Sequence, residues 1–332
     1  MSVSDSTIGT AALRSGGRRA SRATATPTTA SITVVIPTLN EAQNLPHVLT
    51  RIPAIVDEVV LVDGHSIDAT IAIARAVRPD VRVVLQDGRG KGNALACGFA
   101  AATGDIIVML DADGSTDPAE IPRFVAALLD GSDFAKGSRF AAGGSSSDIT
   151  MIRSAGNRML SVAVNVLFRT RYTDLCYGYN AFWRHCLPHM HVTCDGFEVE
   201  TLINVRVARA GLAVTEVPSV EYERIHGESK LNAGRDGMRV LRTIVRERAR
   251  RGSAAQHADG WRPSFRELPP AGSGDGAAIA ADLRESGGAD DSEPHTSRPH
   301  STQAGPSPTS RAADHDRGVG SPSAAWLGRA AG

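Results

Sequence analysis

The sequence carries no excess of charge. Lys and Arg number 36, as do Asp and Glu, which argues against a chain built along its whole length to bind nucleic acid. No apolar run reaches about 18 residues, so no transmembrane helix is expected. The N-terminus also lacks the apolar core of a secretory signal. The four cysteines, Cys97, Cys176, Cys186 and Cys194, form no CxxC pair, and free or buried thiols in a reducing compartment follow. Cys186, His189, His191 and Cys194 have the residue types of a tetrahedral zinc site, but their spacing fits no common zinc module.

Two phosphate-binding signatures are missing as well. The first apolar run leads into PTLNE rather than G-x-G-x-x-G, and G-x-x-x-x-G-K-[ST] occurs nowhere. A calcium loop starting at Asp111 fails too, with Thr116 where Gly is needed and Pro122 where Glu is needed.

The 332 residues are 42 % hydrophobic, ample for one large domain with tails. Residues 1–30 hold a single acid, Asp5, among Ser, Thr, Ala and Arg. Residues 252–332 are Ala, Gly, Ser, Pro and mixed charge. Both stretches have little to bury and read as disordered tails. Between them, residues 31–251 alternate strand and helix patterns. Strands are expected at 32–36, 58–62, 81–85, 106–110 and 134–138. Helices are expected at 45–52, from the Ser66-Ile67-Asp68 cap to about 76, and at 93–102, 118–129 and 149–168. This is the pattern of an α/β fold with a mostly parallel central sheet flanked by helices. Beyond it, 174–183 reads as extended, 196–210 as a helix closed by Gly211, and 214–222 as the last strand.

The chain is organised around residues 106–120. Five apolar residues end in Asp111-Ala112-Asp113. Asp117 then serves as an N-cap, with Pro118 at N1 and Glu120 at the capping-box position. This places two carboxylates at the carboxyl edge of the sheet, where open α/β proteins bind ligands. They repel one another unless a cation lies between them and an anionic ligand, and a hard divalent ion on a diphosphate suits that place. The loop Gly88-Arg89-Gly90-Lys91-Gly92, before a helix, can cradle phosphate through backbone N–H groups and Lys91. A final helix at 235–251 places Met238, Leu241, Ile244 and Val245 on one side and Arg239, Arg242, Arg246 and Arg250 on another. Such a face suits either an anionic membrane surface or solvent.

PTLNE at 37–41, VDGHSIDAT at 62–70, GRGKGNAL at 88–95, DADG at 111–114 and GSRF at 137–140, in that order, resemble the motifs of family 2 glycosyltransferases of the GT-A fold. Within that family the likeness is to dolichol-phosphate mannose synthases and bacterial polyprenyl-phosphate glycosyltransferases. It rests on GSRF, on Arg153 and Asn157, on GFEVE at 196–200, and on RIHGESK at 224–230. The resemblance implies that Pro37, Thr38, Asn40 and Glu41 line a nucleotide pocket, that Asp63 reads the base, and that Lys91 lies close to the nucleotide. It implies that Asp111 contacts the ribose or sugar and that Asp113, with Asp111, holds Mg²⁺ or Mn²⁺. Arg139, Arg153, Arg224 and Lys230 then surround an acceptor phosphate. Of the pattern D-x-x-S-G-F-R, residues 174–180 keep only Asp174 and Gly178.

The implied activity is inverting transfer of a sugar from a nucleotide-diphospho-sugar to polyprenyl phosphate. The implied place is the cytoplasm, peripheral on the membrane. A lipid monophosphate is largely dianionic at neutral pH and attacks without a strong base. A sugar hydroxyl or small-metabolite acceptor needs one; Asp195, Glu198 and Glu200 are the available carboxylates, and Glu198 is the preferred candidate. A nucleotidyltransferase and a non-catalytic binding domain are the alternatives from other classes. The first would want a Gly-rich loop where PTLNE stands.

Overall fold

The computed structural model describes residues 30–227, 233–250 and 263–270. β1 (Ile32–Thr38), α1 (Leu45–Leu49), β2 (Glu58–Asp63), α2 (Thr70–Val77) and β3 (Arg82–Gln86) follow one another with short links, then α3 (Gly90–Ala101) and β4 (Ile106–Met109). β1 pairs in parallel with β2 and β4, and β2 with β3. These strands are apolar along nearly their whole length because both sides are covered. On one side Val35, Val62, Ile107 and Met109 join Leu95 and Phe99 of α3 in a single cluster. The alternate residues Val34, Leu61 and Val108 are equally buried on the other.

After β4, a single 3₁₀ turn at Pro118–Glu120 runs into α4 (Ile121–Leu129), which buries Ile121, Phe124, Val125 and Leu128 as the 3.6 period demands. Asp117 caps the turn by accepting from the Ala119 N–H at 2.9 Å. The capping box is not closed, because the Glu120 carboxylate accepts instead from Ser219 and from the Val220 N–H. β5 (Phe134–Ser138), β6 (Ser145–Ser146) and α5 (Met151–Phe168) come next, then β7 (Asn180–Trp183), α6 (Leu187–Met190) and α7 (Val199–Arg209). β8 (Val214–Pro218), β9 (Val220–Glu221), α8 (Ala233–Ala249) and β10 (Phe265–Glu267) complete the described elements. The large sheet runs β10-β3-β2-β1-β4-β7-β5-β8, and β6 and β9 form a small parallel pair. β7 is antiparallel to both its neighbours.

Several expected boundaries move. The helix expected from 93 begins at Gly90, and the one expected from 196 begins at Val199. Ala69, one residue past the expected Ser66-Ile67-Asp68 cap, is the N-cap of α2, and Asp68 accepts from the Thr70 N–H. The extended stretch 174–183 is a strand only from Asn180. The strand expected at 214–222 breaks at Ser219, whose two sides belong to different sheets. Residues 265–267 fall in the expected C-terminal tail, yet they pair antiparallel with β3. Arg82 holds Glu267 at 2.8 Å and the Ser264 hydroxyl donates to Asp87 at 2.7 Å.

α7 is buried from Val199 to Val207 and lies beneath α5 and α8. Leu160 and Val164 of α5, Val205 of α7, and Val240 and Ile244 of α8 share one cluster. Of the apolar side expected for α8, only Ile244 is buried; Met238, Leu241 and Val245 face outward. The reason is electrostatic. Arg206 of α7 is buried and takes Glu247 at 2.8 Å, as does Arg209. This turns the Asp236-Val240-Thr243-Glu247 side of α8 inward.

Candidate active site

The carboxyl ends of β1, β2 and β4 meet at one edge of the sheet. Thr38 lies opposite Asp63 in register. The loops that follow are tied together by the Gly64 N–H to Thr38 O (2.8 Å), the Asn40 N–H to Ser66 Oγ (2.9 Å), the Ile67 N–H to Asn40 Oδ1 (2.9 Å) and the Glu41 N–H to Thr70 Oγ1 (2.9 Å). Asn40 reaches its place with a left-handed φ of 59°, which Asn tolerates better than most residues. Pro37 pairs with Val62 just before this junction. Asp63 is 1 % exposed. Its Oδ2 accepts from the Ser66 N–H at 2.9 Å, while Oδ1 has no hydrogen-bond partner among the described residues. A buried acceptor left open is costly unless a ligand N–H fills it.

Lys91 Nζ bridges Asp111 (2.7 Å) and Glu200 (2.8 Å). Burial disfavours the ammonium, but the two carboxylates outweigh it and hold Lys91 well above the ordinary lysine range. Burial pushes the Glu200 carboxyl up in spite of Lys91. The Gly-rich loop before Lys91 is not an open phosphate cradle. The Gly92 N–H is spent on Asp195 O at 3.0 Å, and a Cβ there would lie 2.0 Å from Cys194 O. Its glycines let α3 start hard against residues 194–195.

Gly178 is the floor of this ion cluster. A Cβ on it would lie 3.0 Å from Lys91 Nζ and 3.1 Å from Asp111 Oδ2. Gly178→Ala is therefore expected to displace the Lys91–Asp111 pair and cut activity at least about tenfold, while the melting temperature stays within a few degrees, since the neighbours are polar tips that can shift. Thermal melts beside turnover check this; unchanged turnover would show that the cluster's geometry does not matter.

Asp113 is held from both sides. Oδ1 accepts from the Ser115 N–H (3.0 Å) and hydroxyl (2.6 Å), and Oδ2 pairs with Arg224 at 2.8 Å. Arg224 also approaches Glu41 at 3.5 Å. The strand and loop at 221–226 bring it there. The Tyr222 N–H bonds Ser115 O, the Ile225 N–H bonds Asp113 O, and the His226 N–H bonds Asn44 Oδ1. Thus Arg224 closes the gap between PTLNE and DADG. A guanidinium therefore already faces Asp113, on the side away from Ser115. Two carboxylates suffice for Mg²⁺ or Mn²⁺ when a diphosphate completes the coordination.

Of the other expected acceptor cations, Arg153 pairs with Asp148 at 3.2 Å and stays partly exposed. Lys230 lies outside the described residues. Arg139 does not fit the expected role. It is 6 % exposed, and its donors go to Asp174 (2.7 and 3.0 Å) and Glu221 (3.0 and 3.1 Å), which makes it a structural cation. Glu198 stands apart from the Lys91 cluster. Its Oε2 is buried without a partner beside Gly196 and Arg239, whereas Glu200, two residues on, enters the cluster. Among the described residues no group of three or more His, Cys, Asp or Glu could hold a metal, so residues 186–194 form no zinc site. Burial pushes Cys97 up to about 11 and Cys176 and Cys186 to about 12, which leaves them protonated and poor nucleophiles.

The profile of glycosyl transferase family 2 matches residues 33–197. Glycosyltransferase AglJ of Haloferax volcanii is 31 % identical over 226 residues, covering 66 % of this chain and 73 % of that protein. This chain belongs to glycosyl transferase family 2. The undecaprenyl-phosphate mannosyltransferase of Micrococcus luteus is 32 % identical over 222 residues, 63 % of this chain and 91 % of that enzyme. Among solved structures, glucosyl-3-phosphoglycerate synthase of Mycobacterium tuberculosis with Mn²⁺, UDP-glucose and glycerol 3-phosphate is 25 % identical, with a TM-score of 0.55 over 74 % of this chain and 91 % of that one. The family 2 chain is thus a glycosyltransferase with the GT-A fold, and the nucleotidyltransferase reading falls away.

Proposed function

We propose that this family 2 glycosyltransferase moves a sugar from a nucleotide-diphospho-sugar, of the UDP-glucose or GDP-mannose type, to the phosphate of a polyprenyl phosphate, with inversion. The observation that carries the reading is Arg224 on Asp113 at 2.8 Å. A cation at the border of the donor carboxylates serves an acceptor that is itself an anion. Asp63 would take an N–H of the base through its open Oδ1, with Pro37, Thr38, Asn40 and Glu41 shaping the pocket around it. Asp113, with Asp111, would hold Mg²⁺ or Mn²⁺, which supplies Lewis-acid stabilisation of the departing diphosphate. Lys91 orients Asp111 toward the sugar and is itself held by Glu200. Arg224 and Arg153, joined by Lys230, draw in the acceptor phosphate, whose oxygen attacks the anomeric carbon as the nucleoside diphosphate leaves. The Micrococcus luteus relative named for undecaprenyl phosphate supports the acceptor. The solved relative with Mn²⁺ and UDP-glucose supports the metal and donor class. A hydroxyl acceptor is the second reading. It is favoured by the raised carboxyl of Glu200, which would then be the base in place of Glu198.

Nucleotide release by the purified full chain with Mn²⁺ tests this, using UDP-glucose and GDP-mannose with and without a short-chain polyprenyl phosphate. Release that rises at least about tenfold with the lipid is expected. A donor that binds but is released at the same rate with and without lipid would overturn the acceptor.

A further inference from the structure

Residues 263–270 lie beyond the stretch 33–197 that the family profile matches, yet they are fastened to the donor half of the sheet. β10 pairs with β3, the Leu268 N–H bonds Val83 O at 2.9 Å, and Arg75 donates to Pro269 O. Arg82 grips Glu267 through two nitrogens, at 2.9 and 2.8 Å. The antiparallel pairing brings Ser264 to the carboxyl end of β3, where the Gly-rich loop begins. There Asp87 Oδ2 accepts from the Ser264 N–H (3.0 Å) and hydroxyl (2.7 Å). Asp87 Oδ1 accepts from Asn93 Nδ2 at 2.8 Å, and Asn93 Oδ1 accepts from the Gly88 N–H at 2.9 Å. Gly88 O in turn accepts from Gln86 Nε2 at 2.8 Å, and Gln86 O lies 3.1 Å from His65 Nε2. A series of hydrogen bonds thus runs, residue to residue, from this arm to both donor features. Asn93 stands in the first turn of α3, two residues after Lys91, and His65 follows Asp63 by two. The loop has no slack, since a Cβ on Gly88 would lie 2.8 Å from Asn93 Nδ2.

We propose that residues 263–270 form an arm that sets the nucleotide-binding loop, with Ser264 and Asp87 as positioning residues, so that arm docking and nucleotide-sugar binding favour each other. An edge strand needs only backbone bonds to cover β3. The side-chain anchor at Asp87 goes further, because the carboxylate that takes Ser264 is the one that holds the first turn of α3. Hydrogen bonds to an ionised carboxylate are the stronger kind. When the arm leaves, Asp87 loses both bonds from Ser264 and turns to water, and Asn93, Gly88 and Gln86 loosen in turn. By linkage, whatever the docked arm adds to nucleotide affinity, bound nucleotide returns to arm docking. The inference rests on the reading of the Asp63 and Lys91 side as the nucleotide site and deepens it.

Calorimetry of the full chain with Mn²⁺ and UDP or GDP, whichever wild type binds, tests this. Ser264→Glu sets a second carboxylate against Asp87 and is expected to weaken nucleotide binding at least about fivefold. Ser264→Ala keeps the N–H bond and is expected to weaken it about two- to threefold. Ser264→Thr restores the hydroxyl and is expected to bind as wild type does. In sugar transfer the loss is expected in the donor KM, with turnover at saturating donor within about twofold. Thermal melts report that the variants are folded. Hydrogen exchange of wild type needs no variant: the amides of residues 264–268 are expected to exchange at least about fivefold more slowly with nucleotide bound. Variants that melt lower but bind nucleotide as tightly as wild type, or arm exchange that nucleotide leaves unchanged, would overturn the inference and leave the nucleotide site standing. Wild type that binds neither UDP nor GDP would overturn both.

Discussion

Asp113→Asn is expected to lower sugar transfer about a thousandfold or more, with little loss of stability. The amide keeps the shape of the carboxylate and can still accept from Ser115. What disappears is the charge that faces Arg224 at 2.8 Å and that would hold Mg²⁺ or Mn²⁺ against a diphosphate. The pair is only partly buried, with the Arg224 side chain 24 % exposed, so its breakage costs the fold little. Two readouts check the prediction: nucleotide release, and Mn²⁺ binding to the donor complex by calorimetry. Full turnover in the variant would sink the metal role of Asp113. Lost turnover with metal binding intact would shift Asp113 from holding the ion to holding Arg224.

The second large effect is on stability. Arg139→Met is expected to cost about 3–5 kcal/mol, because it leaves the fully buried Asp174 and the Glu221 carboxylate without their cation. For a domain of this size that is a melting temperature lower by roughly 6–20 °C. Burial opposes ionisation of Asp174, but Arg139 and Lys136 outweigh it and hold the carboxyl below its ordinary value. A depressed carboxylate contributes stability that is complete above the ordinary range, about pH 4, and is lost as the pH falls through the depressed value. Once Arg139 is gone, Asp174 accepts a proton readily. The difference in melting temperature between wild type and variant is therefore expected to shrink below about pH 4. Thermal melts of both proteins across pH 3 to 7 would show it. An unchanged melting temperature with a raised acceptor KM would restore Arg139 to the acceptor site.

These two residues also mark where the sequence was legible. DADG could be read because an apolar run, two alternate aspartates and a Pro-led turn are all local features. The same holds for PTLNE after β1 and Asp63 after β2. Arg139 was misread because its partners lie 35 and 82 residues away, and no local pattern signals an ion pair closed by the fold. Glu198 and Glu200 sit two residues apart at the start of one helix. What decides which reaches Lys91 is how residues 194–195, just before that helix, lie against the start of α3. Gly178, the residue kept from the D-x-x-S-G-F-R pattern beside Asp174, carried a usable signal: a lone glycine in an extended stretch marks a close approach.

On α8 the sequence pattern set Ile244 with Met238, Leu241 and Val245. What turned a different side inward was Arg206, a buried guanidinium on another helix that takes Glu247. The strand at Phe265–Glu267 is short and polar. It exists because Arg82 and Asp87 hold its ends, which composition alone does not reveal.

The place of β7 in the sheet has a consequence for how the protein emerges from the ribosome. β4 and β5 are successive strands of the sheet in sequence, yet the strand that joins them, Asn180–Trp183, is made after both. Through synthesis of α4, β5 and α5, the outer edge of β4, the strand that ends at the paired aspartates, stays unpaired, and so does the facing edge of β5. An open strand edge on a nascent chain invites mispairing. The donor half can gather β3, β2, β1 and β4 early, but the two halves of the sheet are joined only when four residues arrive late and run in the opposite direction. A stall or truncation just before residue 180 therefore leaves the donor half with an open seam.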